Sequence, residues 1–315
     1  MPKYLGLDTS NYTTSTALFD SDTGIVRNVK KLLPVKNGEL GIRQSDAVFH
    51  HTKQLPELFH DLMQDVGGNV KAVGVSTRPR NVEGSYMPCF LVGETCADAL
   101  SSVSKIEAYK TSHQVGHILA ALYSCSRLNL IMDKKPFIAF HVSGGTTDCL
   151  LVEPDEEEII KATMIGSSLD LKAGQAIDRV GLMLGLSFPC GAELEKLAEK
   201  SSYKCNIRPT VREGNCSLSG LENKCQKLFD DGLDPCDIAR FCILNIKATI
   251  KLMAKYALIT YGEMPIICAG GVMSNKIIRS AIESEFDAYF AEPILSCDNA
   301  CGTALYAAIK DGYLR

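Results

Sequence analysis

Apolar and polar positions fall into short runs whose period changes along the chain. Tyr4–Leu7 is apolar, 8–12 is rich in turn formers and Thr14–Phe19 is β-branched and apolar, which predicts strand, turn, strand. A third strand, Gly24–Lys31, is expected after the Asp-Thr-Gly turn. Residues 44–66 carry apolar positions at helical spacing, interrupted by Pro56. Lys71–Ser76 predicts a short buried strand, followed by a helix over about 90–103, a strand near Ile106–Tyr109 and a helix over His113–Cys125.

The opening pattern then recurs. Pro136–Val142 reads as a strand, Ser143–Gly145 as a glycine turn, Thr146–Val152 as a second strand and Glu158–Thr163 as a third. At a fixed offset of 133 residues Ser10–Thr14 falls on Ser143–Thr147, and the flanking apolar runs coincide. Such a repeat predicts two βββα-type halves facing each other across a cleft, each presenting a strand–turn–strand hairpin to it. Helices are expected near 171–185, 191–200, 219–230 and 236–258, then a strand at Pro265–Ala269, a helix over 273–284, a strand near Asp287–Phe290 and a last helix over 299–310. Lys196–Asn215, polar and cysteine-containing, is expected to be irregular surface.

Composition narrows the class. A chain of 315 residues suggests two domains or one large doubly wound unit and needs no disulfides to bury a sufficient core. Its 33 basic and 37 acidic side chains leave a net charge of −4, which excludes a strongly basic nucleic-acid binder but leaves room for a local basic patch. No stretch is apolar enough to span a bilayer, so no membrane association is expected, and MPKYLGLDTS does not read as a signal peptide. The thirteen cysteines are odd in number and scattered, with Cys89, Cys149, Cys242 and Cys268 inside apolar runs and no CxxC pair. Reduced, buried thiols in a cytoplasmic protein fit this better than a disulfide framework or a cysteine zinc site.

Five segments could carry chemistry. His113 and His117 are one helical turn apart, so both imidazoles can reach one metal ion; the alternative is two unrelated surface histidines. No Glu follows His113, so the metalloprotease pattern fails. In His141-Val142-Ser143-Gly144-Gly145 the glycines would let backbone N–H groups approach a phosphate, or form a plain hairpin turn. Cys268–Asn275 runs from a strand through Gly-Gly into a helix, whose N-terminus favours an anion or ribose-phosphate; it is neither GxGxxG nor a Walker loop. Asp298 stands before the last helix, as an N-cap or as a carboxylate facing the histidine pair. Asp178 lies on a mostly apolar helix, where it could accept ribose hydroxyls or be an exposed polar position.

In order along the chain stand LGLDTSNYTTS, HQVGH, HVSGGTTD, GQAIDRVGLMLGL, NCSLSGL, AGGVMSN and SCDNA. With these landmarks the sequence resembles the TsaD/Gcp family, once called O-sialoglycoprotein endopeptidases, within the actin-like ATPase superfamily. The resemblance implies an α/β fold of two RNase H-like lobes around a nucleotide-binding cleft. The lobes are expected at 1–132 and 133–315, with a helical insertion in the second and the last helix able to pack back on the first. It implies an acyltransferase that moves a threonylcarbamoyl group from its adenylate to N6 of adenosine 37 in tRNA. His113, His117 and Asp298 match the family's ligands to one divalent metal ion, iron or zinc. His141, Val142, Ser143, Gly144 and Gly145 match its substrate-binding loop, and Asp178, Gly191, Glu195 and Asn275 its remaining nucleotide contacts. Asp8 and Ser10, in the opening turn, are the expected catalytic positions. Implied ligands are an adenine nucleotide (threonylcarbamoyl-adenylate or ATP) and tRNA, and implied partners are other proteins of a threonylcarbamoylation complex.

The chain also departs from the family pattern. The usual opening Glu-Thr-Ser-Cys-Asp-Glu-Thr is Asp8-Thr9-Ser10-Asn11-Tyr12-Thr13-Thr14, the Glu of His-x-Glu-Gly-His is Val115, that of Gly-Glu-Ala is Gln175, and the Pro-Gly-Gly carries Cys190. Tyr, Val and Gln cannot take up a proton at neutral pH. Two other readings therefore stand beside the tRNA enzyme: a carbamoyltransferase acting on a small molecule, and a nucleotide-binding paralogue serving regulation or assembly. A tRNA enzyme is expected to gather a basic patch, for which Lys30, Lys31, Arg43, Arg78 and Arg80 are the candidates.

Overall fold

The computed structural model describes residues 2–10, 12–34, 42–64, 66, 69–296 and 299–313. Elements run in the order β1 (Lys3–Asp8), β2 (Thr13–Asp20), β3 (Ile25–Leu32), α1 (Gln44–Met63), β4 (Val70–Arg78), α2 (Phe90–Ser104), β5 (Glu107–Ser112), α3 (His113–Ser124) and α4 (Asn129–Met132). There follow β6 (Phe137–Val142), β7 (Thr147–Asp155), β8 (Ile159–Ser167), α5 (Ala173–Met183), α6 (Gly191–Lys200), β9 (Val211–Arg212), β10 (Asn215–Cys216), α7 (Ser219–Asp230) and α8 (Pro235–Tyr261). The chain closes with β11 (Ile266–Ala269), a 3-10 turn at Gly271–Ser274, α9 (Lys276–Glu283), β12 (Ala288–Phe290) and α10 (Cys301–Lys310). It divides into two compact units: Met1–Lys135 with Pro154–Lys161 and Leu295–Arg315, and Pro136–Glu153 with Ala162–Ile294.

The first unit is built on a five-stranded sheet in the order β3-β2-β1-β4-β5. β1, β2 and β3 are antiparallel neighbours, whereas β4 and β5 run parallel to β1. Strand residues alternate between two faces, and here both faces are apolar and covered. Leu5, Leu7, Val73 and Val75 pack with Leu62 of α1 and Ala97 of α2. Tyr4, Phe19 and Ala72 pack with Ala120 of α3 and Ala304, Leu305 and Ala308 of α10. α1 is unbroken from Gln44 to Met63 with Pro56 inside it, contrary to the interruption the sequence predicts. Its buried stripe of Ala47, His51, Gln54, Leu55, Leu58 and Leu62 holds the helix across the one hydrogen bond that proline forgoes.

The second unit repeats the topology: its sheet order is β12-β11-β6-β7-β8, with β6 and β7 antiparallel and β11 and β12 parallel to β6. The register of the second hairpin is that of the first shifted by 133, so Asp8↔Ser15 corresponds to His141↔Asp148. The internal repeat read from the sequence is therefore a repeat of strand order and of hairpin register. Ile138, Phe140 and Val142 of β6 point into a core completed by α5 through α9, with Ile177, Leu194, Leu221, Ile246 and Ile278 as members. Residues 201–210 have no regular structure, within the region expected to be irregular. Among the described residues no helix is long and apolar enough to cross a membrane.

Candidate functional site

In the first unit the candidate residues gather at the carboxyl end of the sheet, where β1 and β5 stop. Ser112 caps α3 by accepting from the Val115 N–H at 3.2 Å, which starts the helix at His113. One turn later the same face presents His117. The two Nε2 atoms lie 2.9 Å apart, hydrogen-bonded to each other, with their rings nearly perpendicular at 81°. Behind them the Asp8 carboxylate, 2% exposed, takes the His113 Nδ1–H at 2.7 Å through Oδ2 and the Ser10 N–H at 2.8 Å through Oδ1. Facing a carboxylate acceptor, His113 carries its proton on Nδ1, and its Nε2 lone pair accepts from the His117 Nε2–H, a bond that a ligand to both nitrogens would replace. A carboxylate so placed is of the kind that orients imidazoles serving as metal ligands.

The expected third ligand, Asp298, lies outside the described residues, and among these no group of three His, Cys, Asp or Glu side chains forms a metal-binding set. The residues present nevertheless suit a divalent transition metal: two convergent imidazole nitrogens, one of them held by a buried carboxylate. Ser10, expected to be catalytic, is 2% exposed and its hydroxyl makes no hydrogen bond to the described residues. The link from Asp8 to His113 escaped the sequence reading, because 105 residues separate the pair and no local pattern announces it.

In the second unit the β6–β7 loop, the start of α5, the start of α6 and the turn before α9 enclose a cavity of about 310 Å³, at the lower end of ligand pockets. Ser143, Gly144, Asp178, Gly191, Glu195 and Asn275 all line it. The loop is tied to α5 from both ends: the Gly174 N–H donates to the Ser143 carbonyl at 3.1 Å, and the Ala173 N–H to Thr147 Oγ1 at 2.9 Å. A Cβ on Gly174 would sit 2.6 Å from both Gly144 N and the Ser143 carbonyl oxygen, so only glycine allows this approach. Gly270, with φ of +99°, is likewise obligatory, since a Cβ there would meet the Val142 backbone. By contrast a Cβ on Gly144, Gly191 or Gly271 would enter open space, which leaves backbone accessible on three sides of the cavity.

The polar side chains of this cavity also hold its frame. Asp178 Oδ1 accepts from the Cys190 N–H at 2.9 Å, Glu195 Oε1 from the Lys276 N–H at 2.6 Å, and Asn275 Oδ1 from Ile277 and Ile278 N–H at 3.1 Å each. Each is thus a frame member with ligand-facing capacity remaining, the second carboxylate oxygen or the amide nitrogen. Val142, expected in the substrate loop, has its side chain fully buried in the core, so only its backbone belongs to the loop: an apolar residue at that point of the strand faces inward by alternation. His141 lies at the end of β6, and Gly145 is exposed on the loop, where its N–H donates to Ser143 Oγ at 3.2 Å. Burial pushes the Cys149 thiol up and that of Cys216 to about 11, which removes both as nucleophiles at neutral pH.

Residues 27–305 match the family described as TsaD, tRNA N6-adenosine threonylcarbamoyltransferase. The chain belongs to the TsaD family. That family transfers a threonylcarbamoyl group to adenosine in tRNA, which makes this chain a member of an acyltransferase family. Among solved structures it is similar to component A of (R)-2-hydroxyglutaryl-CoA dehydratase from Acidaminococcus fermentans, with TM-score 0.57 and 15% identity over 98% of this chain and 99% of that one. It is also similar to the activator of 2-hydroxyisocaproyl-CoA dehydratase from Clostridium difficile, solved with bound ADPNP, with TM-score 0.54 and 14% identity over 98% and 95%. T. kodakarensis HypF matches with TM-score 0.60 and 12% identity over 99% of this chain but 47% of its own length. These likenesses carry the fold, an actin-like ATPase architecture, and nothing finer.

Proposed function

We propose that this TsaD-family chain transfers the threonylcarbamoyl group from threonylcarbamoyl-adenylate to N6 of adenosine 37 in tRNA, with one divalent iron or zinc ion held by His113, His117 and Asp298. The family match over residues 27–305 carries the reading, and the convergent Nε2 pair backed by Asp8 supports it. When bound, the ion supplies Lewis-acid polarisation of the carbamoyl oxygen and a counter-charge for the departing phosphate. The chain's own residues bind and orient. Asp8 keeps His113 in the tautomer whose Nε2 is a ligand. The second oxygens of Asp178 and Glu195 accept ribose hydroxyls, and the Gly144 amide, where the loop is open, faces the phosphate. Transfer joins the adenosine nitrogen to the carbamoyl carbon as the bond from that carbon to the phosphate oxygen breaks, with AMP and one proton leaving.

The reading places the chain in the cytoplasm, acting with other proteins of a threonylcarbamoylation complex. A second reading, a nucleotide-binding paralogue serving assembly or regulation, is favoured by Val115 and Gln175. Val115 is 1% exposed in the core, and Gln175 Oε1 accepts from the Lys172 N–H at 3.2 Å at the start of α5, so neither supplies an acid. Of the basic candidates, Lys31 and Arg78 are paired with Glu57 and Glu158. The test is the purified chain, with and without partner proteins, given threonylcarbamoyl-adenylate and unmodified tRNA. Formation of modified adenosine is expected, and its absence in every combination refutes the enzyme in favour of the paralogue.

A further inference from the structure

In the second unit the chain from the end of α6 through β9 forms a strap. From Ser202 to Arg212 exposed and less exposed positions alternate without a break, as in an extended chain lying on a support. Tyr203, Cys205, Ile207, Pro209 and Val211 form the sheltered row; Ser202, Lys204, Asn206, Arg208, Thr210 and Arg212 form the outward one. The support is α8. The Ser201 hydroxyl donates to Asp237 in its first turn, and a Cβ on Gly214 would meet the ring of Tyr256, near its end, at 3.1 Å. Midway, burial pushes the Cys205 thiol up against the opposing pull of Arg240 and Lys247. These two cations stand two turns apart on one face of α8. Arg240 gives one Nη to the Ala198 carbonyl at 3.3 Å, and its buried Nε has no hydrogen-bond partner among the described residues. Burial, then Lys251 and Arg240, hold the Lys247 ammonium below its ordinary range, and no carboxylate offsets them.

No acidic residue occurs from Ser201 to Arg212, and among the described residues Lys204, Arg208 and Arg212 make no ion pair or side-chain hydrogen bond. Elsewhere in this chain of net charge −4, Lys31, Arg78 and Arg179 each have an acidic partner. The outward row has no apolar member, so it does not suit a protein interface, whose buried centre is apolar and aromatic. It suits a polyanion, whose phosphates are held by Lys and Arg and by neutral Ser, Thr and Asn alike. We propose that the strap is a clamp for the phosphate backbone of tRNA. Lys204, Arg208 and Arg212 neutralise phosphates, Asn206 and Thr210 donate between them, and Arg240 and Lys247 strengthen the field from beneath. The choice of tRNA rests on the transfer reading proposed above, whereas the cation track does not. Gly191 at the start of α6 lines the cavity, and the strap leaves the far end of that helix, about 15 Å on. The clamp therefore grips backbone remote from the reacting nucleotide and sets tRNA affinity rather than chemistry.

The experiment compares the full-length chain with the triple variant Lys204→Gln, Arg208→Gln, Arg212→Gln. A control, Lys53→Gln, Lys224→Gln, Lys227→Gln, loses the same charge elsewhere. All six side chains are exposed, so the three proteins melt alike by circular dichroism. Filter binding of unmodified tRNA is then read across salt. Each lost phosphate contact flattens the slope of log K against log salt by about 0.7–0.9. For three contacts, raising salt from about 50 to about 200 mM costs the parent roughly 20–40-fold more affinity than the strap variant. In the transfer assay KM for tRNA rises in parallel with Kd while kcat holds. Equal slopes in parent and strap variant overturn the clamp, as does a control that flattens as much. Failure of the chain to bind tRNA, with or without partner proteins, also overturns it. So does displacement of tRNA by millimolar inorganic phosphate at constant ionic strength, which reassigns the track to a free anion. A flattened slope in a protein that never transfers refutes the transfer reading and leaves the clamp standing. Full transfer by a strap variant with the parent's slope does the reverse.

Discussion

Two glycines face each other where α3 crosses α10, and the structure assigns them opposite tolerances. A Cβ built on Gly302 would lie 2.7 Å from Gly116 Cα and closer still to its carbonyl. Carbon atoms settle at about 3.5–4.0 Å, so Gly302→Ala forces the helices apart by at least about 0.8 Å on that contact alone. Both helices belong to one close-packed core: Cys301, Ala304, Leu305 and Ala308 of α10 pack with Ala120 of α3. Overpacking such a site costs about 1–3 kcal/mol, and the upper end applies because the obstacle is backbone rather than a flexible side chain. At roughly 2–4 °C per kcal/mol for a unit of this size, Tm falls by about 6–12 °C. A Cβ on Gly116 meets only Thr303 Cγ2 at 3.5 Å and Thr303 N at 3.9 Å, ordinary contacts. Gly116→Ala is therefore neutral or gains up to about 1 kcal/mol of helix propensity. Thermal and urea unfolding followed by circular dichroism compare the two variants. If Gly302→Ala is as stable as Gly116→Ala, the packing argument is wrong. Because α3 carries His113 and His117, and functional groups tolerate displacements of only about 0.5 Å, Gly302→Ala also loses affinity for a metal ion while Gly116→Ala keeps it.

Further expectations concern individual side chains. Replacing His113 or His117 by Ala abolishes tight metal binding measured by calorimetry, and Asp8→Asn weakens it about 10–100-fold through the tautomer it no longer fixes; equal binding by all three variants removes the imidazole pair from consideration. Asn275→Ser retains an N-cap but removes the amide nitrogen, so stability holds while nucleotide affinity falls; unchanged affinity reduces Asn275 to a cap. Burial raises the carboxyl of Asp170, but the Ser219 hydroxyl and the Leu218, Leu171 and Ser219 amides outweigh it and hold the group below its ordinary range. Since its folded pKa is depressed, its stabilisation is present at neutral pH and is lost as pH falls through the folded value. Asp170→Asn accordingly costs about 1 kcal/mol near pH 7, as for a lost helix cap, and the difference from the parent protein closes in acid; a gap constant down to low pH contradicts the role.

Much of the fold is legible because the hydrophobic pattern is strong where the core is deep. α6 and α7 begin and end where the apolar spacing predicts, and the 133-residue offset captures both hairpins because register depends on which face each residue must bury. α4, only four residues long, carries too few positions to show a period. α1 passes through Pro56 because buried contacts along a 20-residue stripe outweigh one lost backbone hydrogen bond, and a local rule cannot weigh that competition.

The site divides along the same line. Gly144, Asp178, Gly191, Glu195 and Asn275 are each unremarkable in sequence, and they meet around one cavity because strand ends and helix starts converge at the carboxyl edge of the second sheet. From sequence, Asp178 reads as a ribose contact or an exposed polar position, and Asp298 as a cap or a carboxylate facing the histidine pair. In the structure Asp178, Glu195 and Asn275 cap or brace neighbouring backbone with one atom, and each carries a second polar atom outside those bonds. A carboxylate whose first oxygen is already fixed by a backbone N–H presents its second in one direction at no further cost in side-chain entropy. In this unit the bonds that brace the frame therefore also orient the groups proposed to contact the nucleotide. It follows that a single substitution here changes stability and affinity together unless, as in Asn275→Ser, it separates the two atoms.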